Sequence, residues 1–221
     1  TEIITGFVKR EGDDVHITRG NTFENDKNLA ESALKQLEER YSGTRLGRQE
    51  LYAEILDDVQ GALWSYRSIE KTRIQRDELP ELQRIVVAID PAVTNTEESD
   101  ETGIIVAGVS HNNRYYVIDD VSGRMSPDGW GRSAIDMFYK YQADRIVAEV
   151  NNGGDLVEKL LRNIDDTVPY TPVRASRGKL VRAEPIAALY EQEKVSHVGM
   201  FKELEDQLCS YAANSAKSPD R

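Results

Sequence analysis

The sequence predicts an α/β fold with a mixed five-stranded sheet flanked by helices. Two hydrophobic runs, at residues 85–90 and 145–149 of the 221, are short, rich in β-branched residues and end on a single acid. Turn-forming residues follow each run at once, Pro91 after the first and Asn-Asn-Gly-Gly at 151–154 after the second. Such runs are typical of buried strands, and in α/β sheets ligands collect beyond the carboxyl ends of the strands.

The patterns between and after these runs predict the order of the elements. Asn112-Asn113 is a turn signal between two further strands, and Ser126-Pro127 is a helix N-cap followed by a favourable first helical residue. Three antiparallel strands followed by alternating helices and strands are typical of the ribonuclease H-like fold. We expect strands at 84–90, 103–109, 114–121, 145–150 and 169–174, with helices from Pro127, after Gly154, at 179–194 and at 200–213.

Residues 1–80 differ from the regular pattern that follows them. A strand at 15–18 and helices at about 28–41 and 49–59 would leave apolar faces that need another surface to bury them. We therefore interpret 1–80 as a mostly helical connector or the tail of a preceding domain, and 81–221 as the ribonuclease H-like domain.

Composition restricts the possible functions. The net charge of −11 argues against a dedicated nucleic-acid-binding protein, because phosphate contacts require clustered Lys and Arg. One basic strip runs against this trend and could bind a phosphate backbone, although a solvated helix end is the alternative. The strip consists of Arg174, Arg177, Lys179 and Arg182, within nine residues that contain no acid.

The chain contains a single cysteine, Cys209. It excludes an internal disulfide and fits a reducing compartment.

The two strand-end acids are the main candidates for chemistry. In the predicted strand order the first and fourth strands are neighbours, so Asp90 and Glu149 would meet at one edge of the sheet. Two carboxylates at short range repel each other unless a cation lies between them, and Mg²⁺ and Mn²⁺ prefer oxygen ligands. We therefore expect a divalent-metal site with two ions; the alternative is that both acids only end their strands or cap turns.

Further residues are candidates around this site. The glycines after Asn151 and Asn152 would let the backbone approach a phosphate, and a tight turn explains them equally well. Lys179 is the best candidate in the basic strip for reaching a scissile phosphate. A metal site of this kind needs a third acid, for which Asp220 is the first candidate and Asp100, in an acidic loop, the second. A helix N-cap or tail and a solvated loop are the respective alternatives.

Four segments resemble the C-terminal nuclease domain of the large terminase subunit of tailed bacteriophages and prophages. They are VVAIDPAVTNTEESDETGIIVAG, IVAEVNNGGDLV, RASRGKLVRAEPIAALYEQEKVSHVG and FKELEDQL. The upstream stretch ITRGNTFENDKNLAESALKQLEERYSGTRLGRQELYAEIL resembles the segment that joins the ATPase motor of that family to the nuclease. The resemblance covers most of the chain.

The resemblance implies a metal-dependent endonuclease that cuts concatemeric viral DNA during genome packaging. Asp90 and Glu149 match the first two ligands of the family's pair of Mg²⁺ or Mn²⁺ ions. The third family acid lies in a D-R-x-D-A pattern, of which Asp220-Arg221 is present, so Asp220 and an acid beyond Arg221 both remain candidates. The implied partners are double-stranded DNA, the ATPase domain of the same polypeptide, the terminase small subunit and the portal, in the cytoplasm of the bacterial host and without a membrane.

Two other classes of function remain as alternatives. The first is a non-catalytic packaging module, in which the domain only contacts other parts of the packaging machine. The second is an ATPase of the actin and sugar-kinase group, which shares the sheet topology. That group places glycine and threonine after its first-strand acid, whereas Pro91-Ala92-Val93 follows Asp90, which disfavours it. The P-loop motif G-x-x-x-x-G-K-[ST] does not occur in this chain either.

Overall fold

The chain divides into two compact units, residues 1–58 and residues 59–221. The computed structural model describes residues 10–12, 14–18, 20–41, 47–48, 51–54, 61–91, 101–150, 154–174, 176 and 178–212. Within these ranges no helix is long and apolar enough to cross a membrane.

The first unit contains a 3₁₀ helix at Thr22–Asn28 and helix α1 at Glu31–Tyr41. Two sequence predictions in this unit are wrong. Residues 15–18 form no strand, because only an isolated bridge joins Val15 to Glu11. The predicted second helix is absent from residues 51–54, which form a turn with Ala53 at φ 52°, in the left-handed region that a right-handed helix cannot include. Residues 49–50 and 55–59 of that predicted helix lie outside the described residues.

The second unit is built on a mixed six-stranded sheet in the order β5-β4-β1-β2-β3-β6. Strands β1, β2 and β3 pair in antiparallel hairpins, while β4 and β5 continue the sheet in parallel on the other side of β1. This confirms the mixed sheet and the strand order that the sequence predicts, with one strand more. The strands are Leu82–Asp90 (β1), Gly103–Ser110 (β2), Tyr115–Asp120 (β3), Arg145–Glu149 (β4), Tyr170–Val173 (β5) and Val195–His197 (β6).

Strand β6 is the one strand of the sheet that the sequence does not predict, and the helix at Tyr66–Thr72 is not predicted either. It has three residues and pairs in parallel with β3 at the edge of the sheet. All three side chains are buried, although Ser196 and His197 are polar. A strand this short, with two polar residues, has neither the alternation nor the apolar run that signals a strand.

Apart from the helix at Tyr66–Thr72, which the sequence does not predict, the helices of this unit lie close to the predicted positions. In α3, the Ser126 hydroxyl accepts a hydrogen bond from the Gly129 N–H, and Pro127 is the first helical residue, as the sequence predicts. Helices α3 and α4 pack together and share a buried core with strands β1, β2 and β4. The helices are Tyr66–Thr72 (α2), Pro127–Lys140 (α3), Gly154–Ile164 (α4), Lys179–Glu191 (α5) and Lys202–Ser210 (α6).

Residues 61–80 belong to the second unit, although the sequence predicts them to be part of the connector. The Thr72 hydroxyl donates to the Val195 carbonyl at 2.6 Å, and the Ile74 N–H donates to the His197 carbonyl at 3.0 Å. Ile69 of α2 is fully buried. The edge strand β6 is therefore covered by a segment that precedes β1 in sequence, and the compact unit begins about twenty residues before the expected boundary.

A buried network of polar side chains ties α6 to the rest of this unit. Arg73 donates two hydrogen bonds to the Glu205 carboxylate, at 2.7 and 2.9 Å, and His197 Nδ1 lies 3.0 Å from the same carboxylate. The other imidazole nitrogen, Nε2, lies 2.8 Å from the Tyr190 hydroxyl. Burial raises the pKa of Glu205, but the hydrogen bonds from His197 and Arg73 outweigh it and lower this pKa to about 2. The Glu205 carboxylate is therefore ionised inside the protein, where it fixes the position of α6.

Candidate functional site

The two strand-end acids meet at one edge of the sheet. Ile89 of β1 and Ala148 of β4 are paired in parallel register, and Asp90 and Glu149 are the next residues of their strands. Both acids line the same pocket, which has a volume of about 250 Å³. The structure thus brings together the pair that strand order predicts, while their chemical role stays a prediction.

Backbone pairing holds each acid through the strand on its outer side. Asp90 pairs with Gly103 of β2, and Glu149 pairs with Val173 of β5. The next hydrogen bond along, from the Val150 N–H to the Val173 carbonyl at 2.9 Å, continues the ladder beyond Glu149. Because hydrogen bonds to the neighbouring strands fix the backbone at both residues, the positions of the two carboxylates are well defined.

Helix α5 provides the basic wall of the pocket. It begins at Lys179, shortly after β5, and its first-turn residues Lys179 and Arg182 lie three positions apart, on one helical face. Both side chains line the pocket. Arg182 Nη1 donates a hydrogen bond to Glu149 Oε2 at 2.8 Å, and both side chains are partly exposed. The pocket is therefore bounded by acids on the sheet edge and by bases on the helix that follows.

The third wall is aromatic and was not found by sequence reasoning. Trp64, just before α2, and Tyr211, just after α6, both line the pocket, with Leu208 and Ala183 beside them. The Leu63 N–H donates to the Tyr211 carbonyl at 3.0 Å, and Ala62 forms an antiparallel bridge with Ala212. No repeat or spacing in the sequence connects these two segments, which lie at opposite ends of the second unit.

The other candidates divide into residues that the structure describes and residues that it does not. Of the described candidates, Arg174 is exposed after β5 and does not line the pocket. The remaining candidates lie outside the described residues: Asp100, Asn151, Asn152, Arg177 and Asp220.

The described part of the site supplies two oxygen donors for a cation. Asp90 and Glu149 share the pocket, and hard divalent cations prefer carboxylate oxygens, so this pair fits Mg²⁺ or Mn²⁺. Among the described residues there is no group of three His, Cys, Asp or Glu side chains that could hold a metal. A complete ligand set would therefore require a third acid from outside those residues, such as Asp220 or Asp100.

Comparison with known proteins identifies the class to which this fold and site belong. Residues 87–221 match the family model described as the terminase RNaseH-like domain. The chain belongs to this family, which confirms the resemblance seen in the sequence. A comparison with curated proteins gave no match.

Solved structures with the same fold come from phage large terminases. The large terminase of a thermophilic bacteriophage is 12% identical, with a TM-score of 0.52, and the match covers 86% of this chain and 47% of that protein. The nuclease domain of the large terminase subunit of bacterial virus Sf6 is 12% identical, with a TM-score of 0.51, 67% of this chain and 80% of that domain being covered. The nuclease domain of the P22 large terminase is 12% identical, with a TM-score of 0.50, and the match covers 67% of this chain and 79% of that domain. The chain thus spans about half the length of the thermophilic phage protein.

Proposed function

We propose that this chain carries the metal-dependent nuclease domain of a phage DNA-packaging terminase and hydrolyses phosphodiester bonds in double-stranded DNA. The observation that carries the proposal is the shared pocket of Asp90 and Glu149, on adjacent parallel strands of a terminase RNaseH-like fold. Family membership supports the substrate class, and the acid pair supports the chemistry.

Asp90 and Glu149 would hold Mg²⁺ or Mn²⁺, with Asp220 as the proposed third ligand and Asp100 as the secondary candidate. When bound, two such ions supply charge stabilisation for the attacking and leaving oxygens of phosphoryl transfer. A structure of a mutant Sf6 large terminase subunit contains calcium, a cation with the same preference for oxygen ligands, which supports this choice.

Lys179 and Arg182 would position the DNA phosphate. A phosphate that approaches two carboxylates on a protein of net charge −11 is repelled unless local cations offset that charge. These two side chains line the pocket beside the acids, and Arg182 already lies within hydrogen-bond distance of Glu149. We propose that Arg182 exchanges part of its contact with Glu149 for a contact with the phosphate. By sequence position, Arg174, Arg177, Asn151 and Asn152 are proposed to extend the DNA contact.

The wider role follows from family membership. We propose that the domain cuts concatemeric viral DNA during packaging, in the cytoplasm of the bacterial host. The proposed partners are an ATPase domain of the same polypeptide, the terminase small subunit and the portal. The region that precedes β1, residues 1–80, is proposed to join this domain to the ATPase domain, although its last part, from residue 61, packs into the nuclease unit.

Cleavage of supercoiled plasmid DNA in Mn²⁺ tests the proposal. We expect nicked and linear products from the wild-type chain and none from Asp90→Asn or Glu149→Gln, each of which keeps the side-chain size but removes the charge. Asp136→Asn, on the exposed face of α3, is the matched control and should cleave normally. Full activity in both pocket variants would disprove the assignment of the site.

The alternative is a non-catalytic packaging module. The net charge of −11 favours it, because an acidic protein repels the phosphates of DNA. A crystal soaked in Mn²⁺ separates the two functions, since the nuclease requires an ion between Asp90 and Glu149. A folded chain that neither binds the ion nor cuts DNA would support the alternative.

A further inference from the structure

The aromatic wall of the pocket suggests a contact that the acids and bases do not provide. Trp64 is 6% exposed, and its ring lies 6.3 Å from the Tyr211 ring, centroid to centroid. On its other side, Trp64 packs edge-on against Tyr190 at 6.2 Å. Tyr190 belongs to the buried polar network around Glu205, so the wall is anchored to a rigid part of the unit.

Core packing does not account for all of this wall. Tyr211 is only partly buried, and it follows the last residue of α6 and lines the pocket. The indole N–H of Trp64 is buried and has no acceptor among the residues that the structure describes. A buried donor without an acceptor is unfavourable and rare in a protein core, so stability alone does not explain the choice of tryptophan here.

We propose that Trp64 and Tyr211 form a contact surface for the deoxyribose of the nucleotide beside the cleaved phosphodiester bond. This inference rests on the proposed nuclease function. A phosphate held between the acids and the bases of α5 places the sugar attached to it against the remaining wall, and that wall is aromatic. In a duplex the bases are stacked on each other, whereas the sugars are exposed next to the phosphates, so sugar C–H groups meet the parts of the two rings that line the pocket.

Because the contact is uncharged, the salt dependence of DNA binding distinguishes it from the contacts that Lys and Arg make with phosphates. Neutralising a phosphate with Lys or Arg releases counterions and makes the affinity depend on salt, whereas an aromatic contact releases none. Because the deoxyribose is the same in every nucleotide, such a contact also tolerates any base sequence. Loss of the wall should therefore weaken DNA binding equally at all salt concentrations, while loss of Arg182 should reduce the dependence on salt.

The test uses metal-free binding of labelled duplex DNA to the full chain carrying Asp90→Asn and Glu149→Gln, which removes both cleavage and carboxylate repulsion. In this background we expect Tyr211→Ala to raise Kd by about tenfold with an unchanged slope of log Kd against log salt. Arg182→Gln should lower that slope by about one. Tyr139→Ala, at an exposed tyrosine of α3, is the matched control and should leave both quantities unchanged.

A second measurement does not depend on how Tyr211→Ala folds. The chain has two tryptophans, and Trp130 is buried in the main core. In a Trp130→Phe background the emission therefore comes from Trp64, and we expect duplex DNA to shift or quench it. Unchanged Trp64 emission in a sample that binds DNA, or an unchanged Kd for Tyr211→Ala, would overturn the inference. Since the test is free of metal, its failure is distinct from an absence of Mn²⁺-dependent cleavage, which would contradict the proposed function.

Discussion

Arg182 donates a hydrogen bond to Glu149 across the pocket, joining the first turn of α5 to the end of β4. The arginine side chain is 37% exposed and the glutamate side chain 23% exposed, so solvent screens the pair and its direct contribution to stability is small. Its importance lies in its position, because one of the two proposed metal ligands already has a cationic partner. A metal ion bound as proposed would therefore act on the same carboxylate as Arg182.

Replacing Arg182 should strengthen metal binding and weaken DNA binding. Arg182→Gln removes a positive charge next to a proposed ligand, so we expect the affinity for Mn²⁺ to rise by about threefold to tenfold, since a partly screened charge contributes on the order of 1 kcal/mol. Isothermal titration with Mn²⁺ in the absence of DNA measures this. Arg174→Gln, an exposed arginine outside the pocket, is the control, and weaker Mn²⁺ binding by Arg182→Gln would contradict the prediction.

The Glu205 network should make the second unit sensitive to acid. The pKa of Glu205 is lowered from 4.5 to about 2, so the carboxylate contributes stability above pH 4.5 that is lost as the pH falls toward 2. By linkage, this contribution is about 3 kcal/mol at most. We expect the difference in unfolding free energy between wild type and Glu205→Gln to be largest near neutral pH and to narrow between pH 4.5 and 2. Urea unfolding at a series of pH values measures it, and a constant difference would show that Glu205 does not titrate in this way.

Helix α2 should be part of the second unit in energetic as well as structural terms. Ile69 is 0% exposed, and α2 packs against β6. Truncation to alanine leaves a cavity, so we expect Ile69→Ala to lower the free energy of unfolding of this unit by about 2–5 kcal/mol. The comparison is Leu34→Ala in α1, a half-buried leucine of the first unit, for which we expect no change in the unfolding of the second unit. Core Trp130 fluorescence reports that transition, and an unaffected transition in Ile69→Ala would place α2 outside the unit.

Gly108 should not tolerate a side chain. A Cβ at this position of β2 would lie 2.7 Å from Leu82 Cδ1, 3.0 Å from Ile118 Cδ1 and 3.3 Å from the Arg84 carbonyl oxygen. The two side-chain contacts can shift in part, but the backbone oxygen belongs to the paired strand β1, so we expect Gly108→Ala to destabilise the protein by about 1–3 kcal/mol.

Gly123→Ala is the matched control for this substitution. There the nearest atom to the new Cβ is Met125 Cε at 4.0 Å, an ordinary contact. Thermal unfolding of both variants decides the comparison, and equal midpoints would contradict the steric argument.

Much of the fold and part of the site could be predicted because their signals are local. Apolar runs with β-branched residues predict strands, and Ser126-Pro127 predicts the start of α3. The strand order then places Asp90 beside Glu149. The sequence also predicts the basic strip that includes Lys179 and Arg182. It does not predict that these side chains line the pocket or that Arg182 contacts Glu149, because both depend on how α5 packs.

The sequence by itself determined the class of fold and the family, and it predicted Asp90 and Glu149 as candidate site residues. Each of these rests on residues close together in the chain or on a strand order with few solutions. Only the tertiary structure decided that β6 completes the sheet, that residues 61–80 pack into the second unit, and that Trp64 and Tyr211 share the pocket with the acids. These features arise from contacts between segments that are distant in sequence, such as the pairing of Leu63 with Tyr211. Contacts of that kind form when the apolar surfaces of the whole chain are buried together, so local sequence patterns do not predict them.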